Sequence, residues 1–309
     1  MGVSVASVTT AYNSARVLPG QIEALLRQTR PLQEIVVVDD GSTDGTVGML
    51  SERYPQVKVI RTPQNLGTAG AWALGLAYAA LERHHDWIWT FDDDSMPSDD
   101  TLGTLLNGVE CLGRTDDNVG MIAPLLFHRG TGISYLPLLW HHGFVTPSDE
   151  VLRQPMWFAD LVLASGSMIR RDVVEKIGLP RADFFMDFAD FEYCLRSRSS
   201  GYKIAIITEA KLAHERGSAR EVRVAGYSRL WPDYAPWREY YISRSLAYAA
   251  WWLYPDAATK RFVVRHLLRH AGGSLLFGSR KLACLRKMAE GFWDGRHAKL
   301  GIRFRPDLS

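Results

Sequence analysis

Short apolar runs alternate with amphipathic stretches along the first 95 residues. Val3–Thr9, Ile35–Val38, Val57–Ile60 and Trp87–Phe91 are almost unbroken sets of apolar or β-prone side chains. That is the pattern of strands buried in a parallel sheet. Between them the apolar positions fall at helical spacing. Val17, Leu18, Ile22, Leu25 and Leu26 mark a helix around Val17–Gln28, a short helix ends near Tyr54, and another spans Ala69–Arg83. Repeated βα units predict a parallel sheet with right-handed crossovers. In open sheets of this kind ligands bind beyond the carboxyl ends of the strands. The loops at Thr10–Asn13 and Asp39–Asp40 should therefore open on the same edge as the acidic triplet Asp92-Asp93-Asp94.

The pattern then changes. A helix at Thr101–Leu112 precedes a strand at Val119–Leu126, and residues 127–158 are irregular, as in a binding loop or an insertion. Trp140, His141, His142 and Trp157 lie in or beside this stretch and suit either stacking on a ligand or packing. Asp160–Ile169 reads as a buried strand and Arg171–Ile177 as a short helix. Phe188, Phe191 and Leu195 recur at helical spacing, with Asp187 at or just before the helix start. On such a helix Asp187 and Asp190 share a face. A strand at Lys203–Thr208 leads to His214.

Beyond about residue 220 the chain turns aromatic and Pro-rich over Trp231–Tyr241. Two or three helices are expected within Tyr240–Tyr254 and Asp256–Lys287. The expected division is 1–220 for a catalytic domain and 221–309 for a helical C-terminal region. That region carries Lys260, Arg261, Arg265, Arg269, Arg280, Lys281, Arg286 and Lys287 among Leu, Phe and Val. It reads either as a solvated helix face or as a patch for anionic lipid head groups.

Composition narrows the class. The chain has 309 residues, 47% hydrophobic and 23% charged, enough for one large domain with an appendage. A net charge of +2 gives no case for a nucleic-acid partner. Three widely spaced cysteines show neither a disulfide framework nor a metal pattern, which fits a reducing compartment. Neither a leader-like segment nor an apolar run of membrane-spanning length is visible. The expected location is the cytoplasm, with the inner face of the membrane as the place where the basic tail would make contact.

The candidate chemistry is carboxylate chemistry. Three adjacent carboxylates repel one another, and hard divalent cations take oxygen ligands. The alternative is a solvated acidic loop capping the helix that begins near Asp99.

Asp39-Asp40-Gly41-Ser42-Thr43-Asp44-Gly45-Thr46 and the strand-terminal Asp92-Asp93-Asp94 resemble the inverting family 2 glycosyltransferases of GT-A fold. Asn65-Leu66-Gly67-Thr68-Ala69-Gly70-Ala71 is similar to the Asn-x-Gly-Gly-Ala-Gly-Gly run of bacterial galactofuranosyl- and rhamnosyltransferases, with Thr68 and Ala71 in place of two glycines. Met186–Arg196 and the later His214 complete the match, which covers roughly residues 3–245.

The resemblance implies an α/β GT-A fold, a nucleotide-sugar donor, a glycan or lipid-linked glycan acceptor, and Mn²⁺ or Mg²⁺ held by Asp92, Asp94 and His214. His214 is alternatively an ordinary hydrogen-bonded strand-end histidine. The resemblance implies Asp190 as the base that deprotonates the acceptor. Asp187 and Glu192 are candidate acceptor contacts, or a helix cap and an i,i+4 partner of Arg196. Thr10, Asp40 and Asp93 are expected on the donor. Asn65 and Gly67 would let a sugar diphosphate approach closely, unless the glycines serve only a tight turn. UDP-galactofuranose is the first expectation for the donor and dTDP-rhamnose the second. A non-catalytic nucleotide-sugar-binding scaffold would not need Asp190. A nucleotidyltransferase would need an early Gly-rich basic loop that Thr10–Ser14 does not supply.

Overall fold

Four strands of the expected βα series lie side by side. In the computed structural model, which describes residues 2–112, 118–128, 132, 134–135, 137–214, 219–224 and 227–306, these are β1 (Val5–Ala11), β2 (Glu34–Asp39), β3 (Lys58–Arg61) and β4 (Trp87–Asp92). They run in the parallel order β3-β2-β1-β4. β1 is buried at every position, as a central strand must be, whereas β3, at the edge, has no buried position. The crossovers are α1 (Leu18–Leu26), α2 (Thr46–Arg53) and α3 (Gly67–Leu76), the last continued by a wider helical turn over Ala77–Glu82. Pro19 stands in the first turn of α1, where its missing N–H leaves no bond unmade.

The remaining elements of this part are β5 (Ser95–Pro97), α4 (Thr101–Leu112), β6 (Val119–Phe127), β7 (Ser134–Tyr135), β8 (Leu139–Trp140), β9 (Phe144–Val145), α5 (Asp149–Leu152), β10 (Met156–Ala159), β11 (Met168–Arg170), α6 (Arg171–Ile177), α7 (Ala189–Ser199) and β12 (Lys203–His214). The sheet extends from β4 through β11, β6 and β12 to β10, with β5 on β12 and β7 on β6. β11 is antiparallel to both neighbours, and β6 and β12 are parallel. This is the mostly parallel, helix-flanked sheet of the GT-A fold. Leu18, Ile22 and Leu25 of α1 and Leu102, Leu105 and Leu106 of α4 share one core with Trp87, Trp89 and Phe91. On α3 a Cβ at Gly75 would stand 2.2 Å from Val8 Cγ1, so only glycine lets this helix sit so close to β1.

Two expectations need correction. Asp160–Ile169 is not one strand. Ala164–Ser167 turns back onto β4: Gly166 N donates to Thr90 O at 2.7 Å and Thr90 N to Ser167 O at 2.9 Å, with Gly166 at φ +86°. Only Met168–Arg170 then pairs with β4. Small turn residues inside an apolar run outweigh its hydropathy here. The helix after Asp187 begins at Ala189, because Asp187 and Phe188 hold φ of 52° and 73°. Asp187 therefore lies off the helix and shares no helical face with Asp190.

The chain divides into two compact units. The first is Met1–Trp140, Phe144–Ala182 and Asp190–Glu215; the second is His141–Gly143, Asp183–Ala189 and Arg216–Ser309. The second unit holds a hairpin absent from the sequence expectation, β13 (Ala219–Val224) and β14 (Tyr227–Pro232), and three helices, α8 (Pro236–Tyr248), α9 (Ala257–Phe277) and α10 (Lys281–Arg296). These helices form the C-terminal extension. α10 presses on α8 through two glycines: a Cβ at Gly291 or Gly295 would fall 2.1 Å from the carbonyl oxygen of Tyr240 or Arg244. Arg244 is buried and donates to the carbonyls of Phe184 at 2.7 Å and Asp183 at 3.2 Å, with its guanidinium 4.6 Å from the Tyr241 ring. Among the described residues no helix is long and apolar enough to cross a membrane.

Candidate active site

Parallel register levels the strand ends. Thr10 is paired with Asp92 across β1 and β4, and Ala11 with Asp39 across β1 and β2. Asp40 N donates to Ala11 O at 2.8 Å, so the three loops open on one edge of the sheet.

At the end of β4 the chain brings Asp92, Asp94 and His214 together. One ligand atom from each lies within 4.8 Å of the others. His214 arrives from the far end of β12, where its register partner is Ser95 of β5. Asp94 Oδ1 is buried and accepts no hydrogen bond, with His214 Nδ1 3.1 Å away. A buried carboxylate oxygen without a donor, beside a second carboxylate and an imidazole, suits a divalent cation that accepts O and N ligands. These residues fit Mn²⁺ or Mg²⁺.

The supports of this cluster carry no sequence signature. Ser95 Oγ lies 2.8 Å from His214 Nδ1 and 2.6 Å from Ser165 Oγ, and Ser165 Oγ accepts from Asp92 N at 3.0 Å. Gln21, fully buried on α1, donates Nε2 to the carbonyls of Asp92 and, at 2.8 Å, Ser95, and accepts from Thr9 Oγ1 at 2.9 Å. Ser95 and Ser165 are 70 residues apart in sequence. Only the return of Ala164–Ser167 onto β4 makes them neighbours.

Asp93 points away from that cluster, into a hydrogen bond with Ser14 Oγ. Burial, reinforced by the charges of Asp94 and Asp92, pushes Asp93 up to about 6 against the bond from Ser14. The Ser14 loop is tied to the Asp-Gly-Ser-Thr-Asp turn: Asn13 N donates to Ser42 Oγ at 2.8 Å, Thr43 N to Asn13 Oδ1 at 2.8 Å, and Ala15 N to Asp44 Oδ2 at 3.0 Å. The turn motif thus holds a neighbouring loop as well as its own backbone.

Asp40 is also buried. Its Oδ1 accepts from Leu66 N at 2.8 Å and Thr62 Oγ1 at 3.1 Å. Burial holds this carboxyl above its ordinary range despite those bonds and one from Gly67 N. Asn65 Oδ1 accepts from Gly67 N at 3.1 Å, and Gly67 opens α3 at φ +78°. Gly67 therefore has a backbone reason to be glycine. Both oxygens of the fully buried Asp39 lack hydrogen bonds, and Arg61 Nε stands 3.5 Å from Oδ2.

Asp190 sits in the first turn of α7, half-buried, with Oδ1 accepting from Phe191 N at 2.8 Å. Phe191 meets Phe144 edge-on, and Phe144 meets Trp140. Trp157 is buried. Glu192 gives both oxygens to Arg196, at 2.9 and 3.1 Å, so its i,i+4 pairing is the arrangement observed. Asp187 belongs to the second unit, where Arg238 donates to both its oxygens at 3.1 and 3.3 Å.

A mostly parallel sheet that ends in an Asp–Asp–His cluster at β4, with a buried Asp at the end of β2 two strands away, is the frame of a GT-A transferase. The chain belongs to glycosyl transferase family 2, whose family profile matches residues 7–178. It is a nucleotide-sugar-dependent glycosyltransferase. It is 25% identical over 247 residues to the dTDP-rhamnosyl transferase RfbF of Shigella flexneri, covering 79% of each chain. It is 26% identical over 229 residues to galactofuranosyltransferase GlfT1 of Mycolicibacterium smegmatis, covering 69% of this chain and 72% of that one. Among solved structures, GalNAc-T7 with UDP, GalNAc and Mn²⁺ superposes with TM-score 0.62 at 16% identity, over 96% of this chain and 56% of that one. S. aureus TarS 1–349 with UDP-GlcNAc superposes with TM-score 0.60 at 16% identity, over 95% and 81%. At these identities the structural likeness concerns the fold.

Proposed function

We propose that this chain transfers galactofuranose from UDP-galactofuranose, with inversion, to a glycan or lipid-linked glycan in cell-surface polysaccharide synthesis. The observation that carries the transferase chemistry is the Asp92–Asp94–His214 cluster at the carboxyl end of the sheet. Asp92, Asp94 and His214 would hold a divalent cation, which would supply charge neutralisation for the departing diphosphate. Asp190 takes the proton of the acceptor hydroxyl while that oxygen bonds to the anomeric carbon. The anomeric C–O bond to the diphosphate breaks, and its electron pair leaves with the diphosphate oxygen. Asp40 accepts from the N3–H of the pyrimidine, Thr10 and Asp93 line the donor, and Asn65 and Gly67 shape the loop that the sugar diphosphate approaches. Glu192, held by Arg196, braces α7 near Asp190. Asp187, held by Arg238, fixes the segment that precedes the helix.

GlfT1 and the Asn65–Ala71 run support the galactofuranose donor. The similarity to RfbF, over a larger share of the chain, favours dTDP-rhamnose as the second reading. The test is nucleoside diphosphate release in Mn²⁺ from UDP-galactofuranose, dTDP-rhamnose, UDP-glucose and UDP-galactose, with and without a lipid-linked glycan extract. Release from UDP-galactofuranose alone, abolished by EDTA, is the expected result. Release from dTDP-rhamnose alone makes the second reading correct, and nucleotide binding without release from any donor in the presence of extract contradicts both.

A further inference from the structure

The charges of this chain are unevenly placed. Residues 257–289 carry eight Lys and Arg and no Asp or Glu, in a chain whose net charge is +2. The rest of the protein is therefore net acidic, by six charges. The basic segment is α9, the turn after it and the first half of α10.

α9 buries one face and exposes the other. Thr259, Val263, Leu267 and Ser274 are buried on the inner side. The outer side presents Val264, Leu268 and Leu275, which fall within about 40° of one another at 100° per residue. Arg261, Arg265 and Arg269 occupy the adjoining exposed arc. Leu276 is 71% exposed near the end of α9, and Leu282 is 81% exposed in the first turn of α10, next to the exposed Arg280 and Lys281. Leucines so open to water beside arginines, on a helix whose opposite face is already packed, call for an outside surface that is apolar and anionic together.

We propose that the outer face of α9 and the α9–α10 turn dock on an anionic phospholipid bilayer. Leu268, Leu275, Leu276 and Leu282 enter the acyl boundary, and the arginines meet the phosphate head groups. A second copy of the chain does not suit this face, since a two-fold contact would set each basic cluster against its own image with no carboxylate between. A nucleic acid would answer the charge and leave the leucines in water. This inference is independent of the donor assignment and involves only the second unit.

The test is co-sedimentation of the full chain with phosphatidylcholine vesicles, with and without about 30% phosphatidylglycerol. Each basic side chain near an anionic surface contributes about fivefold to partitioning. The chain should pellet with the anionic vesicles, and at least about tenfold less with neutral ones. Arg265→Glu/Arg269→Glu should lower anionic partitioning by more than about twentyfold, and Leu268→Asp/Leu276→Asp should abolish it. Circular dichroism and donor turnover in lipid-free buffer should stay at wild-type levels for both double variants. Equal partitioning to both vesicle types, wild-type partitioning by either variant, or no pelleting at all would overturn the proposal. So would a dimer seen by light scattering that Leu268→Asp/Leu276→Asp dissolves, because a second copy would then cover the face.

Discussion

Ser95 and His214 are cross-strand partners whose side chains meet, with Ser95 Oγ 2.8 Å from His214 Nδ1. Ser165 continues the contact to the backbone of Asp92. Two residues of the candidate cation site thus share one hydroxyl chain. Nδ1 also stands 3.1 Å from Asp94 Oδ1, so the contact with Ser95 orients the ring beside the carboxylates. Ser95→Ala and Ser165→Ala should each weaken Mn²⁺ binding about 10–100-fold by titration calorimetry without donor. Their melting temperatures without metal should change much less. Unchanged affinity in both variants would remove the serines from the metal site.

Asp40 places a carboxylate where burial disfavours its charge. Its folded pKa is raised above the ordinary value of 3.8. The native state therefore binds its proton more tightly than the unfolded chain, and stability is lost as pH rises from 3.8 through the folded value. Asp40→Asn keeps an acceptor for Leu66 N and Thr62 Oγ1 and removes the buried charge. Its melting temperature should match wild type near about pH 3 and exceed it at about pH 7. UDP binding should weaken, because the amide offers a donor where the N3–H of the base also donates. A variant that is no more stable at neutral pH, or that binds UDP as wild type does, contradicts this reading of Asp40.

Gly295 lets α10 touch the backbone of α8. An alanine there would put its Cβ 2.1 Å from Arg244 O, a backbone atom that cannot step aside. Gly295→Ala should cost about 1–3 kcal/mol in urea unfolding. An unchanged midpoint would mean that the two helices are not held at this distance in solution.

How far the chain could be read from its residues varied with the range of the interaction. β4 and its terminal carboxylates were legible because a fully buried strand needs a continuous apolar run, and Trp87–Phe91 has one. The Glu192–Arg196 pair was legible as an alternative because its spacing is local. Asp160–Ile169 misled, since hydropathy cannot register that Gly166 at φ +86° turns the chain back on Thr90. The same turn brings Ser165 to Ser95, so the supports of His214 were hidden with it. Asp187 was placed on the helix face because a periodic pattern does not reveal two successive left-handed residues. Gln21 is a polar side chain within an amphipathic helix, and its tie to Asp92 exists only once α1 packs under the strand end.

The mechanism proposed here is metal-dependent transfer with Asp190 as the base. Its most direct test is nucleoside diphosphate release with acceptor present in wild type, Asp190→Ala and Asp190→Asn, alongside calorimetric binding of Mn²⁺ and donor. Release should fall by at least about a hundredfold in both variants, with Mn²⁺ and donor binding close to wild type. Turnover at wild-type rate in both variants would contradict it.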